Sequence, residues 1–76
     1  MLEEFPQELI KKIRQENPHF DKIIEKHEEL KKLVHDVEEG REYMEDLELE
    51  KLKLEKLRLK DEAYAIVNQY KKEHGV

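Results

Sequence analysis

The side chains able to do chemistry are few and scattered. Three histidines recur every eight residues, at His19, His27 and His35, among many glutamates. Imidazoles and carboxylates together raise the question of a metal site. Ligands on one helix converge at spacings of three or four residues, as in His-Glu-x-x-His. Eight residues advance a helix by about 80°, so these three rings fan apart. No metal and no cofactor is expected. The chain has no cysteine, serine or threonine, so it lacks the usual thiolate and hydroxyl nucleophiles. No glycine-rich loop is present to cradle a phosphate. Carboxylates occur throughout and mark no acid–base pair. The expectation is a protein that is not an enzyme.

Three smaller constellations remain. His27 falls where an apolar residue belongs in a helical seam. Such a polar layer can fix register or oligomer state, and imidazole titrates near neutrality. The plainer expectation is a packed ring whose nitrogen bonds Asp61 or Lys60 across the seam. Lys60-Asp61-Glu62 reads either as a docking epitope beside Tyr64 or as a half-buried Asp61 satisfied by a neighbouring cation. Lys11, Lys12, Arg14, Lys31 and Lys32 form small basic clusters. They offer an alternative reading as a nucleic-acid-associated regulator. With a net charge of −5 and no aromatic platform beside the clusters, nucleic acid is not the expected partner.

These residues must be positioned by helices. Glu, Lys and Leu dominate a chain of 76 residues with two glycines and two prolines, a composition typical of coiled coils. A single domain over 1–76 is expected, all-α. Residues 6–16 predict a short helix with Leu9, Ile10 and Ile13 on one face. Asn17-Pro18 then breaks it, because a residue before proline avoids the helical conformation. Asn caps well and Pro suits the first helical position, so a second helix spans 18–39. Its Phe20, Ile23, His27, Leu30, Val34 and Val37 follow the alternating spacing of a coiled-coil seam. Gly40 suits a left-handed cap. Residues 40–45 form the turn, with Tyr43 and Met44 expected to fold over its end. A third helix covers 46–73, rich in strong helix formers.

Residues 47–61 repeat a five-residue Leu-x-Leu pattern three times. At about 100° per residue this splits the leucines into two stripes roughly 160° apart. Leu49, Leu52, Leu59, Ala63, Ile66 and Tyr70 share one stripe, with Lys56 in its missing position. If positions summing to 86 face each other, the second and third helices close an antiparallel hairpin on this stripe. Leu47, Leu54, Leu57 and Tyr64, with Asp61 among them, form the other. Residues 6–16 can reach Tyr64 and Leu57 but not Leu47 with Leu54. Wet leucines forfeit roughly 1.5–3 kcal/mol each. The expected remedy is pairing of two hairpins into a four-helix dimer, with a three-helix monomer as the weaker alternative.

Glu16-Asn17-Pro18-His19-Phe20, Lys26-His27 and Leu57-Arg58-Leu59-Lys60-Asp61-Glu62 resemble the YdcH-like family of short bacterial helical-hairpin proteins. The likeness extends from about Phe5 to Val67. It departs at Leu30-Lys31-Lys32 and at Leu54-Glu55, where family members often carry an acidic residue and a lysine pair. The resemblance implies a helical hairpin and no particular activity.

No stretch approaches the ~20 apolar residues of a membrane span, and the acidic opening at Met1 to Phe5 does not read as a leader. The expected protein is cytoplasmic. It is expected to be a homo-oligomer, a dimer by preference, that also offers a helical face to a protein partner, with Leu47, Leu54, Leu57, Asp61 and Tyr64 at the expected interface.

Overall fold

Breaks in the sequence set the architecture. The computed structural model describes residues 2–75; Met1 and Val76, the ends of the expected domain, lie outside the described residues. Three helices follow in order: α1 (Gln7–Glu16), α2 (Pro18–Glu38) and α3 (Asp46–His74). Each boundary lies within one residue of the expected one. The described residues contain no strand.

Asn17 serves two helices. Its N–H donates to the Ile13 carbonyl at 2.8 Å, closing α1. Its backbone is extended, at φ −130°, and its side-chain oxygen accepts from the Phe20 N–H at 3.1 Å. That bond satisfies one of the orphan donors at the start of α2. Pro18 follows at the first helical position, where its missing N–H costs nothing.

The end of α2 is a Schellman cap. The Gly40 N–H donates to the Val37 carbonyl at 3.1 Å, and the Arg41 N–H to the Asp36 carbonyl at 2.9 Å. Gly40 sits at φ +80°, the left-handed conformation this motif requires. Tyr43 does not fold over the turn as expected: it is 88% exposed, while Met44 is half-buried.

Helices α2 and α3 form the antiparallel hairpin. A hydrogen bond between His19 Nε2 and Glu62 Oε1 at 2.6 Å and an ion pair from Lys53 to Glu38 at 3.3 Å cross it. These pairs sum to 81 and 91, symmetrically about the expected register of 86. The packing is uneven along its length. The core gathers Leu2, Ile10, Ile13, Phe20, Ile23, Ile24, Ala63 and Val67, all at the end where α1 docks. Toward the turn, Leu30 and Val34 of α2 stay buried, but Leu49 and Leu52 of α3 are only half-buried.

The third-helix stripe differs from expectation in one respect. Val67 is fully buried, and its neighbour Ile66 is half-buried. A hairpin partner alone would favour Ile66. Two partners, α2 and α1, draw the buried face round to Val67.

Candidate interaction surface

The N-terminal segment decides which of the spare residues remain free. Phe5 lies against Tyr64, ring centroids 5.6 Å apart and planes at 57°. The Tyr64 hydroxyl donates to the Glu4 carboxylate. Lys71 reaches over Phe5, 5.3 Å from its centroid. Further along, the Tyr70 hydroxyl donates to Glu16 Oε2 at 2.8 Å, and this bond raises the Tyr70 phenol above its ordinary value. Arg14 Nε holds Asp21 Oδ1 at 2.6 Å, tying α1 to α2. Residues 6–16 therefore dock on the hairpin.

Tyr64 is thereby withdrawn from the expected interface set. It is half-buried among Phe5, Glu4 and the core. The other four stay outside. Leu47 is 67% exposed, Leu54 54% and Leu57 52%; Asp61 is exposed between them and Tyr64. Exposed apolar side chains that share one helical face are where a docking partner could bury them, if they form a large enough patch. Leu47 to Leu57 spans about 15 Å of helix.

His27 is buried as expected, but its supposed partner is absent. Its Nδ1 makes no hydrogen bond. The nearest carboxylate is Glu28 Oε1 at 3.9 Å, too far to bond. Asp61 cannot serve, because it lies on the exposed face away from α2. Burial pushes the imidazole below its ordinary value of 6.5; Glu28 opposes this, and Lys56 and Lys31 add to it.

The basic clusters do not form one surface. Arg14 is committed to Asp21. Lys31 and Lys32 border an open groove of about 460 Å³ with His35 and Lys56, but Glu28 and Glu38 line it too. Mixed charge of this kind gives a phosphate backbone little to hold. Among the described residues no group of three His, Asp or Glu is placed to hold a metal ion. No helix among them is long and apolar enough to cross a membrane.

Sequence reasoning missed Leu2, Phe5, Ile24 and Val67. The last two had a signal. Ile23-Ile24 and Ile66-Val67 are adjacent apolar pairs, and a doubled position widens a narrow seam into the broader stripe that two neighbours need. Leu2 and Phe5 precede any periodic segment and carry no such mark.

No curated protein and no solved structure matches the chain. Residues 20–67 match a family described as a protein of unknown function (DUF465). The matched stretch begins at Phe20, takes in Lys26-His27 and Leu57 to Glu62, and ends at Val67, the last core residue of α3. It therefore covers the hairpin and omits α1. With well over half of its length matched, the chain belongs to this family, which includes the YdcH-like small proteins of unknown function.

Proposed function

We propose that the protein is a non-catalytic interaction module, which self-associates through the row Leu47, Leu54 and Leu57 and presents a helical face to a protein partner in the cytoplasm. The observation that supports this is the exposure of those three leucines on a helix whose opposite face is already committed to the hairpin. A small chain without disulfides gains stability most readily by oligomerisation. The sequence supplies no cysteine, serine or threonine nucleophile, and the surface grooves are open and of mixed charge. A nucleic-acid regulator has less support, because Arg14 is paired and the remaining lysines are interleaved with glutamates.

Leu54→Glu tests the reading. About half of Leu54 is left to bury, or roughly 1 kcal/mol per copy and about 2 kcal/mol per dimer. That weakens self-association at least thirty-fold or so, before the cost of burying two carboxylates. Glu is a strong helix former, so far-ultraviolet circular dichroism stays nearly unchanged. Sedimentation equilibrium measures the loss. An association constant equal to that of the parent would sink the proposal.

A further inference from the structure

We propose that two copies pair antiparallel along α3, with positions that sum to 104 facing each other across a two-fold axis near residue 52. This rests on the self-association reading above and gives it a geometry.

Leu47, Glu50, Leu54, Leu57 and Asp61 follow the alternating three-and-four spacing of a coiled-coil seam. Asp46, Lys53 and Lys60 flank it on one side, Lys51 and Arg58 on the other. Parallel pairing would set Glu50 on Glu50 and Asp61 on Asp61. An antiparallel register of 111 would match Leu54 with Leu57. It would also set Glu50 on Asp61, Lys53 beside Lys60 and Lys51 beside Arg58, and it would need Tyr64, which Phe5 already covers.

The register of 104 removes the acid-on-acid layer and leaves Tyr64 out of the seam. Leu47 meets Leu57 of the other copy, twice. Leu54 rests on the aliphatic stem of Glu50. Asp46 flanks Lys60, again twice. The central lysines, Lys51 and Lys53, approach their own counterparts, but the two Glu50 carboxylates lie among them and each Lys53 is already paired with Glu38.

Coverage points to the same centre. The exposed large apolar side chains are Tyr43, Leu47, Leu54 and Leu57, and Asp61 closes the exposed stretch before Tyr64. On α3 the exposed apolar row runs from Leu47 to Leu57, and its midpoint is residue 52. A second copy centred there ends where Phe5 and α1 begin, so the docked N-terminal segment sets the limit of the interface.

The chain has no cysteine, so single thiols can be introduced cleanly at exposed positions of α3. Lys51→Cys and Asp61→Cys are treated separately with a short bis-maleimide. Lys51→Cys links to itself, because the two copies meet beside the axis. Asp61→Cys does not, because its two positions stand about 27 Å apart along the helices. A mixture of Asp46→Cys and Lys60→Cys chains links as a heterodimer. Self-linking of Asp61→Cys would overturn the proposal in favour of parallel pairing. A sedimenting dimer in which Lys51→Cys fails to link would overturn the register alone. A parent chain that stays monomeric at every concentration would remove self-association itself.

Discussion

Replacing His27 with leucine should stabilise the protein and flatten its response to acid. His27 is 6% exposed, and its buried Nδ1 has no partner. A buried polar atom left unsatisfied costs about 1–3 kcal/mol. Leucine suits a seam position flanked by Ile23, Ile24 and Leu30 and asks for no hydrogen bond. Taking the low end of that range, because the ring itself packs well, the gain is about 1 kcal/mol. In a domain of this size each kcal/mol moves the melting temperature by roughly 4–8 °C.

The pH dependence has a definite sign. Burial, aided by Lys56 and Lys31, holds the folded imidazole below 6.5, its ordinary value. Below that value the unfolded chain takes up the proton first. Stability therefore rises with pH through the window that starts at the depressed folded value and ends near 6.5, and it is complete above. As the pH falls from 7 to 5, the wild type loses stability relative to His27→Leu by up to about 1.4 kcal/mol per unit. The difference between the two melting curves isolates His27 from the other titrating groups. A variant less stable than the wild type at pH 7 would refute the reasoning, as would a difference that fails to widen on acidification.

Two further substitutions probe the breaks that define the helices. Asn17→Ala removes the bond to the Phe20 N–H; a loss of about 1 kcal/mol is expected, read as a lower melting temperature with an unchanged secondary-structure spectrum. Gly40→Ala places a Cβ at φ +80°, although nothing lies within 4 Å to obstruct it. The cost is conformational, about 1–2 kcal/mol, measured as a lower urea midpoint with an unchanged slope.

The hairpin was legible because its signals are local. Asn17-Pro18 and Gly40 mark breaks that any helix must obey, and the seam from Phe20 to Val37 repeats at one period. The spare row was legible for the same reason: Leu47, Leu54 and Leu57 belong to a helix whose opposite face already has a partner. Tyr64 was misread because its fate depends on Phe5 and Glu4, some sixty residues earlier and outside any repeat. The bond imagined for His27 failed for a related reason. Pattern places the ring on a face, but whether a particular acceptor lies within about 3 Å depends on side-chain directions that periodicity does not encode.

Stability and candidate function occupy opposite ends of the molecule. Where α1 docks, three helices enclose Phe20, Ala63 and Val67 completely. Toward the turn only two helices remain, and two helices cannot shield leucines that point both toward and away from each other. Opening is cheapest where buried contacts are fewest, so the half-buried Leu49 and Leu52 belong to the weaker end of the hairpin. Leu47 and Leu54 lie on the outer face of that same end. In the proposed dimer a second copy would bind only the folded hairpin and so would stabilise it by mass action. The leucines that contribute least to the monomer are thus placed where an added helix contributes most. In that proposed dimer, the α1 docking that half-buries Tyr64 would keep the added helix from sliding toward the end that is already complete.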